Sequence, residues 1–275
     1  MKGKLYLVAT PIGNLEDITL RAIRILGEVD LIAAEDTRQS RKLLNHLAIK
    51  KPLTSYFQHN ERSKGQFLIE SLLAGQNIAV ISDAGTPAIS DPGSELVRLA
   101  IQNQIEIIPV PGPSACLTLL SASGLNSERF VFEGFLPRQK NLRRQRLLQL
   151  LEEERTLIFY EAPHRLRAFL ADVNEILGDR ELAIGRELTK RFEEILRGSI
   201  SELRGHFEQV EPRGEFVVAI TGCQRPEQAI PADEDLRAEM QFLLARGQSR
   251  KQAAKEMAQK YNISAKKAYD LTVKQ

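Results

Sequence analysis

Two aspartates stand in a long loop near the middle of the first half of the chain. The loop, residues 82–93, carries Asp83 and Asp91 among Gly, Pro, Ala, Ser and Thr. It follows the apolar run Ile78–Ile81, which is typical of a strand buried on both faces. Small residues let a ligand approach the backbone, and prolines set the shape of the loop in advance. An ordinary surface turn is the alternative, but the loop's length, its two carboxylates and its position after a buried strand favour a ligand-binding loop.

Three further polar loops follow predicted strands in the same half of the chain, at residues 10–14, 35–38 and 111–115. Because the carboxyl ends of parallel strands lie along one rim, we expect all four loops to converge there. We place Pro113 in the first turn of a helix whose free amides suit an anion. The chain contains neither the dinucleotide pattern GxGxxG nor the phosphate loop GxxxxGK[ST], which argues against NAD, FAD and ATP bound in the usual ways.

The spacing of apolar residues predicts an α/β fold. Residues 1–123 alternate between apolar runs and helical patterns, which indicates a mostly parallel sheet with helices on both faces. Residues 124–223 hold several predicted strands close together, so we expect a second α/β domain with a mixed sheet. Residues 224–233 have the composition of a linker, and residues 233–275 predict a small helical appendage of the helix-turn-helix type.

Composition and cysteine usage narrow the class of protein. The chain is 43% apolar and 27% charged, as in globular proteins. Its longest uncharged run, residues 107–127, is interrupted by three prolines, so we predict no membrane span. Cys116 and Cys223 are isolated from each other and from histidines in the sequence. We therefore expect free thiols in a reducing cytoplasm and assign no metal ligands.

The net charge of +2 is distributed unevenly along the chain. Residues 246–275 hold eight Lys or Arg and two acidic residues, so this tail carries +6 and the remainder −4. A basic appendage on a mildly acidic body favours a polyanionic partner, although a solubilising tail is the alternative. A second basic run, residues 138–146, begins a predicted helix. It indicates either phosphate contacts or a solvated helix face.

Seven segments, in order, resemble the small-subunit ribosomal RNA (cytidine 2′-O)-methyltransferases, a family of the tetrapyrrole-methylase-like superfamily. They are TPIGNLEDIT at 10–19, AEDTR at 34–38, SDAGTPAISDPG at 82–93, VPGPSA at 110–115, FLP at 135–137, YEAPHR at 160–165 and RELTK at 186–190. The resemblance spans residues 4–222, and the tail is similar to the appendage of many members. It implies S-adenosylmethionine as the methyl donor, bound between the two α/β domains, and usually a homodimer.

The resemblance also implies site residues. The implied cofactor pocket comprises Pro11, Gly85, Thr86, Pro87, Ile89, Ser114, Ala115 and Ala162. The acceptor would be a ribose 2′-hydroxyl, which is a poor nucleophile until a base or a metal removes its proton. The candidate bases are the rim carboxylates Asp36, Asp83, Asp91 and Glu187, which the sequence does not rank. Lys190 is a candidate for stabilising developing negative charge. Turn capping is the alternative role for Asp36 and Asp91.

The implied partner is small-subunit ribosomal RNA, free or in the assembled subunit. The expected phosphate contacts are Arg38, Arg138, Lys140, Arg143, Arg144, Lys251, Lys266 and Lys267. Two other functions stay open: a methylase of a small acceptor such as a corrin or another tetrapyrrole, and a non-enzymatic nucleic-acid-binding protein. The basic tail counts against the first alternative, and the loop-rich rim counts against the second.

Overall fold

The computed structural model describes residues 1–224, 232–261 and 263–272. The chain divides into two compact units, Met1–Cys223 and Gln224–Gln275. The first unit contains two five-stranded sheets. Most of the linker predicted at 224–233 lies outside the described residues. None of the helices described is both long enough and apolar enough to cross a membrane.

The first sheet is entirely parallel, with the strand order β3-β2-β4-β1-β5. Its strands are β1 (Leu5–Val8), β2 (Leu31–Ala34), β3 (Leu53–Ser55), β4 (Ile78–Ile81) and β5 (Ile107–Val110). Its helices are α1 (Leu20–Glu28), α2 (Thr37–His46), α3 (Glu61–Leu73) and α4 (Ser94–Gln102). Side chains of α1 and α2 pack on one face of the sheet and those of α3 and α4 on the other. The predicted parallel sheet with helices on both faces is confirmed.

Local sequence signals set where these elements begin and end. The Thr19 hydroxyl accepts a hydrogen bond from the backbone N–H of Ala22 at 3.1 Å and so caps α1. A carboxylate oxygen of Asp36 caps α2 through the N–H of Arg38 at 2.8 Å. β4 is buried at all four positions, because it lies in the middle of the sheet with helices over both faces. The loop that follows β4 therefore starts from the most constrained strand of the sheet.

The second sheet is mixed, as predicted, with the order β6-β7-β10-β8-β9. Its strands are β6 (Phe130–Phe135), β7 (Thr156–Glu161), β8 (Glu181–Arg186), β9 (Glu194–Ser199) and β10 (Phe216–Ile220). Its helices are α6 (Lys140–Gln149), α7 (Pro163–Leu177) and α8 (Ile200–Gln209), preceded in the chain by α5 (Ala115–Ser123). β6 and β7 pair in parallel, and the other neighbours pair antiparallel.

Helix α5 joins the two sheets, and its start corrects one prediction. Pro113 lies outside the helix, because the N-cap Ser114 has an extended backbone and the helix begins at Ala115. The Pro113 carbonyl accepts a hydrogen bond from the Thr86 hydroxyl at 3.3 Å. Leu119 and Leu120 of α5 are buried in a cluster that also contains apolar residues of β7, β8 and β10. A helix from the first half of the chain therefore covers one face of the second sheet.

The second compact unit is helical. It contains α9 (Asp233–Ala245), α10 (Arg250–Tyr261) and α11 (Ala265–Asp270). Leu236, Met240 and Met257 form the centre of its own apolar core. Ser249 and Gln252 exchange hydrogen bonds between side chain and backbone at 3.1 and 3.3 Å, so they form the predicted capping box. The expected helical appendage is present in the described residues.

Candidate active site

Hydrogen bonds tie three of the rim loops together. Thr10 and Gly85 exchange two backbone hydrogen bonds of 2.8 and 3.0 Å, which link the loops after β1 and β4. The Thr10 hydroxyl also donates to the carbonyl of Ser82 at 3.1 Å. The Thr86 hydroxyl donates to the carbonyl of Pro113, in the loop after β5. Neighbouring parallel strands thus present their loops as one connected surface.

A cleft of about 360 Å³ opens between this surface and the second sheet. Its lining from the first half is Ile12, Glu35, Asp83, Ala84, Gly85, Thr86, Ile89, Ser90, Asp91, Ser114 and Ala115. Its lining from the second half is Phe135, Tyr160, Glu161, Ala162, Pro163, Leu188, Glu215, Phe216 and Val217. All four rim loops contribute, so the predicted convergence is confirmed.

The loop after β4 holds an unusual backbone conformation where it lines the cleft. Ala88 and Ser90 have φ values of 68° and 62°, in a region that few non-glycine residues adopt. Backbone hydrogen bonds within the loop, from Ala88 to Pro92 and from Ile89 to Thr86, close it on itself. Residues held in rare conformations by their surroundings cluster at functional sites. The loop is therefore a preformed wall of the cleft.

Three carboxylates from two loops line the same side of the cleft. A carboxylate oxygen of Glu35 accepts from the N–H of Asp83 at 3.4 Å, and a carboxylate oxygen of Asp83 accepts from the N–H of Asp36 at 3.0 Å. Burial raises the pKa of Glu35, and it also raises the pKa of Asp83. Burial and then the charge of Glu35 raise the pKa of Asp91 to about 6. Burial thus raises the pKa of all three groups above their ordinary values.

Asp36 does not line the cleft, although the sequence offered it as a base. Both of its carboxylate oxygens bind the Arg38 guanidinium, at 3.1 and 2.8 Å. The hydrogen bonds from Arg38 lower the pKa of Asp36 to about 2. An anion held so firmly is a weak proton acceptor. The adjacent Glu35, which the sequence interpretation passed over, faces the cleft instead.

Glu187 and Lys190 bind each other within one turn and also lie outside the cleft lining. The ammonium of Lys190 donates to Glu187 at 3.0 Å and to Glu215 at 2.9 Å. The N–H of Glu215 donates to the same oxygen of Glu187 at 2.9 Å. Burial alone would raise the pKa of Glu187, but the hydrogen bonds from Lys190 and Glu215 hold it below the ordinary value. These contacts give the two residues a structural role in shaping the turn after β8.

This turn meets the loop after β1 at a glycine. A Cβ atom on Gly13 would lie 2.3 Å from Cγ of Lys190, 3.0 Å from the Thr189 hydroxyl oxygen and 3.1 Å from the Leu188 carbonyl oxygen. Contacts that close are not tolerated by a packed side chain. Gly13 therefore permits the two halves of the unit to approach at the edge of the cleft.

The cofactor residues implied by the resemblance divide into two groups. Six line the cleft: Gly85, Thr86, Ile89, Ser114, Ala115 and Ala162. Pro11 and Pro87 are not in the lining, and Pro87 is buried behind it. The lining also contains side chains that sequence reasoning missed: Glu35, Phe135, Tyr160, Glu161 and Glu215. Glu35, Phe135, Tyr160 and Glu161 lie within matched segments, and that position was the available signal.

Glu161 is the most buried of these carboxylates. It is 2% exposed, and one of its oxygens accepts the N–H of Ala162 at 2.9 Å. The other, Oε2, has no hydrogen-bond partner among the residues described. Burial raises the pKa of Glu161. A buried polar atom without a partner in the wall of a cleft is suited to accept a hydrogen bond from a ligand.

The basic run that begins α6 does not act as one surface, which corrects part of the RNA-contact prediction. Arg143 is 5% exposed, and its guanidinium lies 2.6 Å from the buried carboxylate of Asp172. Arg144 binds Asp172 at 3.0 Å and Glu175 at 2.5 Å. Arg143 is thus an internal partner for a buried charge and not a phosphate contact. Arg138 and Lys140 are exposed.

The candidate contacts outside α6 are also exposed. Arg38 leaves 88% of its side chain exposed while it binds Asp36. In the appendage, Lys251 and Lys266 are exposed, and Lys267 lies 3.3 Å from the carboxylate of Asp233. Exposed cations such as these can meet phosphates without breaking buried interactions.

Solved structures of two methyltransferases share this fold. Cobalt precorrin-4 methyltransferase, a cobalamin biosynthetic enzyme, aligns with a TM-score of 0.60 at 15% identity over 79% of this chain and 94% of that one. Uroporphyrin-III C-methyl transferase from Thermus thermophilus, solved with S-adenosylhomocysteine, aligns with a TM-score of 0.57 at 18% identity over 80% and 97%. These likenesses establish the fold.

Sequence comparison establishes the family. Residues 4–204 match the tetrapyrrole (corrin/porphyrin) methylases, and the chain belongs to this family. A protein of Synechocystis sp. named ribosomal RNA small subunit methyltransferase I is 48% identical over 98% of both chains. A Bacillus subtilis protein of the same name is 46% identical over 98% of this chain and 93% of its own. The resemblance seen in the seven segments is confirmed.

One relative with the same name is shorter than this chain. A Thermotoga maritima protein of the same name is 50% identical over 99% of its own length but only 80% of this chain. About a fifth of this chain therefore has no counterpart in that protein.

Proposed function

We propose that this protein transfers a methyl group from S-adenosylmethionine to the ribose 2′-oxygen of a cytidine in small-subunit ribosomal RNA. The observation that carries the proposal is the 48% identity, over 98% of both chains, to a protein named ribosomal RNA small subunit methyltransferase I. The cytidine and the 2′-oxygen come from the resemblance of the seven matched segments. The cleft supports the proposal through its charge and its shape.

The residues of the cleft fit the methyl donor. Five lining residues are carboxylates, and the lining described includes no Lys, Arg or His, which suits a ligand with a sulfonium and an ammonium group. The first turn of α5, at Ser114 and Ala115, offers free amides to the donor's carboxylate. Gly85 lines the cleft with φ +81°, a conformation that glycine adopts without strain, and a Cβ there would stand 3.5 Å from Ile12. The donor, when bound, supplies an electrophilic methyl group.

We assign the general base to Asp91. It lines the cleft, and its pKa of about 6 leaves it mostly unprotonated, yet still basic, near neutral pH. Asp36 and Glu187 lie outside the lining and bind Arg38 and Lys190, and Asp83 accepts the N–H of Asp36. Asp91 would accept the proton that leaves the ribose hydroxyl, so that the oxygen's electron pair can form the new bond to the methyl carbon. The carbon–sulfur bond of the donor would break at the same time, and its electron pair would stay on sulfur in the neutral thioether that leaves.

The partners follow from the substrate. We propose that Arg138, Lys140, Lys251 and Lys266 contact RNA phosphates, because these cations are exposed. We also propose a homodimer, as the resemblance implies, and a cytoplasmic location, as the free cysteines indicate, with either free ribosomal RNA or the assembled small subunit as substrate. Sedimentation at several protein concentrations tests the dimer, and parallel reactions on both substrates distinguish the two forms of RNA.

The decisive experiment uses methyl-labelled S-adenosylmethionine with small-subunit ribosomal RNA, with small subunits and with a tetrapyrrole. Both RNA samples should come from cells that lack this methylation. We expect label in RNA, recovered in an alkali-resistant dinucleotide, because a 2′-O-methyl group blocks alkaline cleavage at that position. Label in the tetrapyrrole, or in alkali-sensitive RNA, would contradict the proposal. Asp91→Asn serves as the matched control, which should bind donor and transfer little label.

A further inference from the structure

Phe135 is exposed although it lines the cleft. It ends β6, its exposed fraction is 56%, and it belongs to the mouth of the cleft rather than to a core cluster. A single exposed apolar side chain is ordinary on a protein surface. The backbone of β6, however, positions this ring through an irregularity in the strand.

A β-bulge in β6 brings two aromatic rings onto the same face. Phe132 pairs with Ile158, and Phe135 pairs with Tyr160, so Glu133 is an extra residue in β6. In a regular strand, residues three apart lie on opposite faces. With the bulge, Phe132 and Phe135 both pack edge-to-face on Tyr160, with ring centroids 5.0 and 5.5 Å apart. The bulge therefore directs Phe135 toward the cleft.

Contacts on both sides hold the bulge in place. The Glu133 carboxylate accepts two hydrogen bonds of 2.8 Å from the guanidinium of Arg146. Gly134 adopts φ +62°, and a Cβ at this position would lie 2.7 Å from the hydroxyl oxygen of Ser90. Ser90 neighbours Asp91 in the loop after β4. The position of Phe135 is thus coupled to the loop that carries the candidate base.

The charge of the cleft determines which part of an RNA can enter. Its lining holds five carboxylates and, among the described residues, no basic side chain. Glu161 and Glu215 pair with cations outside the lining, whereas Glu35, Asp83 and Asp91 have no such partner in the described part of the chain. Phosphates are repelled by such a surface, whereas an uncharged base and its ribose are not. An aromatic ring at the mouth offers any nucleobase a face on which to stack.

We propose that Phe135 is a stacking platform for the base of the acceptor nucleotide, which leaves its helical stack while its ribose enters the cleft beside Asp91. This inference rests on the proposed methylation of RNA. Stacking on Phe135 would replace the stacking that the nucleotide loses on leaving its neighbours. Phe135 is then a positioning residue for the acceptor and takes no direct part in the transfer of the methyl group.

The test compares three variants of the full chain. Phe135→Leu removes the ring and retains an apolar side chain, Phe135→Tyr retains the ring, and Phe130→Leu changes an exposed phenylalanine at the other end of β6, outside the cleft lining. We expect Phe135→Leu to raise the KM for RNA about tenfold or more, with the Kd for S-adenosylmethionine unchanged within twofold. Phe135→Tyr and Phe130→Leu should retain the KM of the wild type.

A photochemical readout tests the contact directly. RNA with 5-iodocytidine at the methylated position should crosslink on irradiation to the peptide that contains Phe135, and Phe135→Leu should lose the crosslink. Crosslinking elsewhere, an unchanged KM in Phe135→Leu, or an equal weakening of donor binding would overturn the inference. Altered sedimentation of Phe135→Leu with unchanged KM would assign the ring to a contact between copies. If the wild type methylates no RNA, the proposed function fails. If the wild type methylates RNA and Phe135→Leu retains its KM, only the inference about Phe135 fails.

Discussion

The carboxylate of Glu35 adds its charge to the effect of burial on Asp91, and together they raise the pKa of Asp91 to about 6. The two residues come from loops after β2 and β4, more than fifty positions apart in the sequence. Neighbouring parallel strands bring them to the same wall of the cleft.

We expect kcat/KM for RNA to rise with pH and to level off above about pH 6, because Asp91 must be unprotonated to accept a proton. Glu35→Gln removes a neighbouring negative charge, so it should move the midpoint of this profile to lower pH. Asp36→Asn is the control, since Asp36 binds Arg38 and lies outside the lining. A midpoint that does not move in Glu35→Gln would exclude Asp91 as the group that titrates.

Asp91→Asn should lower kcat by about a hundredfold or more while it leaves the Kd for S-adenosylmethionine within a few-fold of the wild type. The amide keeps the size of the side chain and cannot take up the proton. Single-turnover rates and equilibrium dialysis measure the two quantities separately. A variant that retains its rate would show that Asp91 only shapes the loop, and one that loses donor binding would place it in the cofactor site.

Gly13→Ala should destabilise the protein by about 1–3 kcal/mol, because its Cβ would overlap the turn at Lys190. Thermal unfolding measures the change. Gly27→Ala is the matched control: Gly27 lies in α1, and a Cβ there meets no atom within 4 Å. A helical glycine costs stability relative to alanine, so this variant should be stabilised by about 0.5–1 kcal/mol. Equal effects of the two changes would refute the close approach at Gly13.

Arg143→Ala should destabilise the protein by about 3–5 kcal/mol, because it removes the buried cation that pairs with the carboxylate of Asp172 at 2.6 Å. Arg138→Ala should leave the melting temperature unchanged and weaken RNA binding, with a smaller salt dependence. Denaturant unfolding and RNA titrations at several salt concentrations compare the two. If Arg143→Ala loses RNA affinity without losing stability, Arg143 contacts phosphate after all.

Removing residues 224–275 should leave the melting temperature of the remaining unit and its affinity for S-adenosylmethionine unchanged, because residues 1–223 form a compact unit with their own cores. The affinity for RNA should fall, and so should its salt dependence, because the removed segment is basic. Lys251→Gln combined with Lys266→Gln in the full chain tests charge without truncation. If donor binding falls together with RNA binding, the appendage stabilises the fold of the remaining unit and is not specific to RNA binding.

The sequence by itself was sufficient to predict the rim of the first sheet. The run Ile78–Ile81 predicted a buried strand, and the small residues after it predicted a ligand loop. Strand alternation and helix spacing are local properties, so they can be read from neighbouring residues. Six of the eight cofactor residues that the matched segments implied also line the cleft.

Only the tertiary structure decided which member of each group faces the cleft. Glu35 and Asp36 are adjacent, yet Glu35 lines the cleft while Asp36 binds Arg38. Arg143 is buried because α7 places Asp172 against it. Phe135 reaches the mouth of the cleft because a bulge shifts the register of β6 by one residue. Each outcome depends on contacts between distant segments, which the local pattern of residues does not contain.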